Sequence, residues 1–163
     1  MEYIIEEIKE FTLIGLIKEI PFNKGYELCP KFWNEFNEKY YSKIDNGSEE
    51  SKTIIENNIG EYAVCIDENK DTFKYMIAGK YLGGSIPNGF ELFKFNKSTW
   101  IKFKCIGTLP NALQELNTKI WEEFIPNFKE YKLSGNANIE WYSDGDVSSS
   151  DYESGIWLPI EKK

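Results

Sequence analysis

A chain of 163 residues is long enough for one domain with a sizeable core, and its 41% hydrophobic and 16% aromatic residues exclude a disordered chain. The net charge is −8 and all 19 basic residues are lysines, which argues against direct nucleic-acid binding and favours a cationic or neutral ligand over an anionic one. Because the sequence has no histidine, it excludes Ser-His-Asp and Cys-His catalysis and histidine metal ligands.

The first part of the chain predicts a β-hairpin followed by a helix. Residues 3–9 and 11–20 are rich in isoleucine, leucine and phenylalanine with charges interspersed, and Pro21 ends the second run. A helix is predicted from Pro30 to Ile44, because proline suits a first helical turn and aromatic residues then recur at helical spacing.

A short helix, a strand pair and a glycine-rich connector complete the first half. The helix is predicted over 52–58 and the strands over 61–67 and 72–82, with a polar acidic turn between them. Residues 83–89 contain three glycines and one proline, so they are predicted to form a connector near the middle of the chain.

The second half repeats this order. A second hairpin is predicted over 90–96 and 99–107, and a helix from Pro110 to about Phe124. Residues 137–143 and 152–160 predict a closing strand pair. The order of elements therefore indicates an internal repeat.

The repeat has support in individual residues. The run Lys31–Phe36 matches the run Lys119–Phe124, 88 residues later, and each run lies on the predicted helix of its half. We therefore expect a single α+β domain of two pseudo-symmetric repeats, about 1–82 and 90–163. They would form one antiparallel sheet with helices on one face and a ligand groove between the halves.

The closing strand pair provides a candidate binding face. Side chains alternate between the two faces of a strand. The apolar residues expected to face the helices are Ile139, Trp141, Ile156, Leu158 and Ile160. The face left for a ligand then carries Glu140, Tyr142, Glu153 and Trp157. Carboxylates beside aromatic rings suit an organic cation through ion pairing and cation–π attraction.

Two helical tryptophans are further candidates for ligand contact. Trp33 and Trp121 recur at core spacing on their helices, so a core position is favoured over a pocket position. The acidic loop at 144–151 lacks the spacing of a calcium-binding loop, and no glycine motif of a nucleotide site is present. We expect neither a metal nor a cofactor.

The cysteines and the N-terminal run indicate the cellular compartment of the protein. Cys29, Cys65 and Cys105 are odd in number and widely spaced, which favours reduced thiols in the cytoplasm. The acidic N-terminal run is neither a signal peptide nor a membrane span, so a membrane partner is not expected.

Four runs together resemble the gyrase-inhibitor-like (GyrI-like) effector-binding domains, which also form the sensors of some AraC-type and MerR-type multidrug regulators. The runs are FTLIGLIKEIPF, KIWEEFIP, NIEWYSDGD and YESGIWLPIEKK, and the resemblance spans essentially the whole chain. It implies two strand-helix-strand-strand units, a central pocket for lipophilic and often cationic molecules, and a bacterial cytosolic protein.

One position departs from the family pattern. The family usually places a glutamate two residues before the aromatic of its terminal strand, and that position here is Gly155. Glu153 lies on the same face but about 6–7 Å further along the strand, whereas Glu140 matches a glutamate of the family's preceding strand. The glycine weakens the case for cation binding and for carboxylate catalysis, and it opens space for a bulkier or neutral ligand.

Three functions stay open. The first is a stand-alone cytosolic protein that binds a lipophilic small molecule, cationic or neutral. The second is a small-molecule hydrolase with Glu140 or Glu153 as general base. The third is an inhibitor or regulator that binds a protein partner through its acidic surface. Binding is favoured over catalysis, direct contact with nucleic acid is not expected, and both a monomer and a homodimer fit.

Overall fold

The computed structural model describes residues 1–40 and 47–163, which form two compact units. Unit 1 comprises residues 1–10 and 96–163, and unit 2 comprises residues 11–95. In chain order the elements are β1 (Tyr3–Ile8), β2 (Phe11–Pro21), α1 (Gly25–Lys39), α2 (Glu49–Glu56), β3 (Tyr62–Asp67), β4 (Thr72–Lys80), β5 (Glu91–Phe95), β6 (Ser98–Ile106), α3 (Asn111–Lys119), α4 (Ile125–Asn127), β7 (Tyr131–Leu133), β8 (Ala137–Tyr142) and β9 (Glu153–Lys162). The α+β class is confirmed.

Each unit contains an antiparallel sheet built on the same plan. In unit 2 the strand order is β3-β4-β2-β5, and in unit 1 it is β1-β6-β9-β8, with β7 also paired to β9. In both units the chain runs strand, helix, strand, strand, as β2-α1-β3-β4 and as β6-α3-β8-β9. The predicted strand pairs β3–β4 and β8–β9 are confirmed.

The two predicted hairpins are wrong, because their strands pair with other partners. β1 pairs with β6, with Tyr3 opposite Phe103, and β2 pairs with β5, with Phe11 opposite Phe95. A two-residue hairpin needs residues that adopt positive φ, usually Asn-Gly or a glycine. The link between β1 and β2 is Lys9-Glu10, which does not supply that turn.

The first long helix begins earlier than predicted. α1 starts at Gly25, and Pro30 lies inside it rather than at its first turn. A 3₁₀ turn, Phe22–Lys24, leads directly into α1, so the chain is already helical when it reaches the proline. The predicted end at Ile44 lies outside the described residues, and α1 is described as far as Lys39.

The helix of the second half begins as predicted, directly after Pro110. α3 runs into a π-helical turn, Ile120–Phe124, and then into α4. A π turn closes its hydrogen bonds over one more residue than an α turn, so it shifts the later side chains around the helix axis. No helix in the part of the chain that the structure describes is long and apolar enough to cross a membrane.

One face of the unit 1 sheet packs on α3. Ile156, Leu158 and Ile160 are buried there together with Phe103 of β6 and Ile120 of the π turn. The predicted apolar face of the closing strand is therefore confirmed. Burial of side chains of this size contributes about 1.5–3 kcal/mol each to folding. We call this side of the unit 1 sheet the helix face.

The pairing of β1 with β6 is testable with a designed disulfide. Glu7 of β1 lies directly opposite Thr99 of β6, within disulfide range, so Glu7→Cys with Thr99→Cys is expected to cross-link under mild oxidation. The control is Glu7→Cys with Lys104→Cys, five residues further along β6, which is expected to stay reduced. Peptide mass spectrometry locates the bond, and absence of the first cross-link would contradict the β1–β6 pairing.

Candidate functional site

The pairing of β8 with β9 decides which side chains share the other face of the unit 1 sheet. Ile139 lies opposite Trp157, and Trp141 lies opposite Gly155. Directly opposed residues in an antiparallel pair project on the same side. Trp141, Gly155 and Trp157 therefore lie together on the side away from α3, and Ile139 is completely buried on that side.

The same pairing separates the residues that the sequence grouped into one binding face. Glu140 lies opposite Ile156 and Tyr142 opposite Ser154, so both belong to the helix face. The Tyr142 hydroxyl donates to the Glu140 carboxylate at 3.0 Å. The predicted common face of Glu140, Tyr142, Glu153 and Trp157 is wrong, because alternation divides β8 into two faces without showing which one meets the helices. A ligand contact by Glu140 or Tyr142 stays a prediction.

Two tryptophans flank the backbone of Gly155. The ring centroids of Trp141 and Trp157 are 6.4 Å apart and the ring planes differ by 16°. A Cβ atom placed on Gly155 would lie 3.5 Å from Trp157 Nε1 and 3.8 Å from Trp141 Cε3. The point directly above the glycine is thus in van der Waals contact with both indoles.

Gly155 is also a point of close approach between strands. Its Cβ position would be 2.7 Å from the backbone carbonyl oxygen of Phe103 on β6. Carbon atoms do not approach a carbonyl oxygen so closely without a shift of one strand. The backbone therefore requires glycine here, and a glutamate at this position would disturb the β6–β9 pairing.

A lysine lies beside Trp157 on β6, the neighbour of β9 on the side away from Trp141. The Lys102 Nζ atom is 3.9 Å from the centroid of the Trp157 ring and 2.5 Å from Oε1 of Glu6. The Lys102 side chain is 19% exposed and that of Glu6 is 44% exposed. A cation over an indole is worth about 0.5–2 kcal/mol, more when water is excluded.

These residues form a row across four strands. We call it the indole face; in spatial order it carries Glu6 on β1, Lys102 on β6, Gly155 and Trp157 on β9 and Trp141 on β8. The alternation of β9 places Glu153 on the same side, and this glutamate is partly buried. Of the carboxylates that the sequence proposed for the site, Glu153 alone lies on this face.

The two helical tryptophans lie elsewhere. Trp33 belongs to unit 2, is partly buried, and donates its indole N–H to the Tyr75 hydroxyl at 2.8 Å. Trp121 is 39% exposed and donates to Asn117 Oδ1 at 3.0 Å. The core position predicted for Trp121 is wrong, because it lies in the π turn, where Ile120 is the buried residue. Ligand contact by either tryptophan stays a prediction.

Sequence reasoning missed Trp141 and Lys102 as site residues. Trp141 was assigned to the helix side because it alternates with Ile139. For Lys102 a signal existed in the run TWIKFKCIG, where Lys102 and Trp100 share one face and Ile101 and Phe103 the other.

The acidic loop between β8 and β9 stabilises its own turn. The Asp146 carboxylate accepts hydrogen bonds from the hydroxyl and the backbone N–H of Ser148, at 2.6 and 2.9 Å, which lower the pKa of Asp146. Across residues 1–40 and 47–163, no group of three His, Cys, Asp or Glu side chains has a metal-binding arrangement.

The three cysteines are free thiols. Cys105 is buried in the core of unit 1, and this burial raises the pKa of its thiol. A raised pKa lowers the thiolate fraction, so Cys105 is expected to be unreactive.

Two strand-helix-strand-strand units are the architecture of the GyrI-like effector-binding domains, which confirms the resemblance of the sequence to that class. The chain belongs to the family of integron-associated effector binding proteins, whose model matches residues 4–160. Among curated proteins, none matches the sequence.

Solved structures share the fold at low sequence identity. SAV2435 bound to tetraphenylphosphonium is 20% identical with a TM-score of 0.80, over 99% of this chain and 94% of that one. An integron cassette protein from the mobile metagenome of Vibrio cholerae is 13% identical with a TM-score of 0.69, over 98% and 95%. EcmrR, in a complex with DNA, is 17% identical with a TM-score of 0.60, over 99% of this chain and 58% of that one.

The close approach at Gly155 predicts a stability effect. Gly155→Ala is expected to lower the free energy of unfolding by about 1–3 kcal/mol, because the added methyl group meets a carbonyl oxygen of the neighbouring strand. Gly25→Ala is the matched control. Its methyl group would be 3.4 Å from the Phe73 ring, and alanine in α1 is expected to keep or raise stability by up to about 1 kcal/mol. Equal urea midpoints for the two variants would contradict the account.

Proposed function

We propose that this protein binds a lipophilic small molecule on the indole face and acts as a stand-alone effector-binding protein in the bacterial cytoplasm. The observation that carries the proposal is the pair of nearly parallel indoles, Trp141 and Trp157, on either side of Gly155. The free thiols of all three cysteines support a reducing compartment.

The chemistry of the indole face suits an aromatic ligand. Tryptophan rings bury large apolar areas, and ring pairs add about 0.5–1.5 kcal/mol beyond the area that they bury. The 6.4 Å between the ring centroids is slightly less than the roughly 7 Å that an aromatic ring needs between two others, so a small separation of the two indoles would admit one. A strand backbone beneath two partly buried indoles is a rigid support, which lowers the entropic cost of binding.

Family and fold relatives support the same class of ligand. The matching family model describes effector-binding proteins, and SAV2435 was solved with tetraphenylphosphonium, a molecule with four aromatic rings. The small-molecule class comes from these relatives and from the indole pair. The sign of the ligand's charge is a separate question, which the local electrostatics of this chain address.

For a hydrolase, the indole face would supply Glu153 as the base. Glu140 lies on the helix face and its carboxylate accepts a hydrogen bond from Tyr142. No described contact favours catalysis over binding, so we propose binding alone.

The proposal predicts which tryptophans contribute to the affinity for a ligand. Trp157→Leu and Trp141→Leu are each expected to weaken the binding of a lipophilic aromatic dye about tenfold, because each removes one ring from the stack. Tyr26→Leu, an exposed aromatic residue on α1, is expected to leave the Kd unchanged. Isothermal titration calorimetry measures all three without depending on tryptophan emission.

Folding of each variant is checked by thermal melting followed by circular dichroism. If Trp157→Leu and Trp141→Leu melt cooperatively and still bind with the parent Kd, the indole face is not the binding site.

A further inference from the structure

The indole face already contains a cation. The Lys102 ammonium group lies 3.9 Å from the centre of the Trp157 ring, within the range of a cation–π contact. Most of the Lys102 side chain is buried, so the charge is poorly screened by solvent. An organic cation that approached Trp157 would meet a like charge beside the ring that should attract it.

The nearest carboxylate is already paired. Glu6 contacts the Lys102 ammonium at 2.5 Å, so its negative charge is balanced within the protein. The position where the family resemblance implies a glutamate is Gly155, and the carbonyl oxygen of Phe103 leaves no room for a side chain there. Glu153 shares the face but lies about 6–7 Å further along β9.

The net charge of −8 works in the opposite direction, but over a longer range. Salt screens exposed charges beyond about 8–10 Å, whereas the partly buried Lys102 acts at contact distance. The overall charge therefore speeds the approach of a cation without deciding which ligand binds at the two indoles. Selectivity is set by the groups that touch the ligand.

We infer that the indole face selects an uncharged, planar aromatic molecule over an organic cation of the same shape, because Lys102 occupies the cation position at Trp157 and the Glu6 carboxylate is already paired with that lysine. The inference rests on the proposed function and names its ligand class. The near-parallel planes of Trp141 and Trp157 favour a flat molecule, since widening their 6.4 Å centroid spacing to about 7 Å lets a flat ring contact both indoles.

Acridine and N-methylacridinium provide a matched pair of probes. Both are flat, and at mildly alkaline pH acridine is uncharged whereas the methylated compound is a permanent cation. Calorimetric titration of the parent protein is expected to give a Kd for acridine at least about tenfold lower than that for N-methylacridinium.

Two variants are expected to shift the ratio of the Kd for N-methylacridinium to the Kd for acridine in opposite directions. Lys102→Met removes the ammonium group, keeps an unbranched apolar side chain and leaves the Glu6 carboxylate free, so the preference for acridine should fall severalfold. Glu6→Gln leaves the Lys102 charge without its partner in this pair, so the preference should rise. Glu6 is well exposed, so this second variant is expected to fold even where the first does not.

The matched control is Lys97→Met. Lys97, directly before β6, pairs with Glu7 of β1 at 3.2 Å, so the variant removes the same charge from a second ion pair made by β1. Because Glu7 lies opposite Thr99 on the helix side of the sheet, this variant should leave the ratio unchanged.

The outcomes separate the two claims. If the parent protein binds N-methylacridinium as tightly as acridine, or if Lys102→Met and Glu6→Gln leave the ratio unchanged, the inference is overturned while small-molecule binding stands. If neither probe and no other lipophilic aromatic molecule binds saturably, the proposed function fails and the inference fails with it.

Discussion

The register between β8 and β9 is the constraint on which the indole face depends. With Trp141 opposite Gly155 and Ile139 opposite Trp157, both indoles project to one side of the sheet and the Glu140–Tyr142 pair projects to the other. A slip of one residue would move every β8 side chain to the opposite face. The slip would also remove Ile139 from its completely buried position, so burial on both faces fixes the register.

Strand β1, which pairs with β6 and not with β2, links the fold to the electrostatics of the site. β1 pairs with β6, and this pairing brings Glu6 within reach of Lys102 and so sets the charge beside Trp157. A hairpin between β1 and β2 would have withdrawn Glu6 from unit 1. The β1–β6 pairing, which the sequence did not predict, therefore places the carboxylate that balances the charge of Lys102 beside Trp157.

Alternation, helical spacing and family motifs predicted the α+β class, the strand segments, the helix face at Ile156, Leu158 and Ile160, and the family. They could not predict strand partners, because alternation records which faces a strand has and not its neighbour. β8 carries large side chains on both faces, so the side that meets the helices followed only from the register. Trp121 was misplaced because helical spacing assumes an α-helix and the chain forms a π turn there.

Indole N–H resonances provide the most direct test of the central claim, that ligand binds at Trp141 and Trp157. The protein has five tryptophans, so a nitrogen-15-labelled sample gives a small set of signals assignable by substitution. Titration with acridine is predicted to shift the Trp141 and Trp157 signals along one saturable curve and to leave those of Trp33 and Trp121 in place. Saturable shifts at Trp33 or Trp121 with Trp141 and Trp157 unmoved would contradict the account.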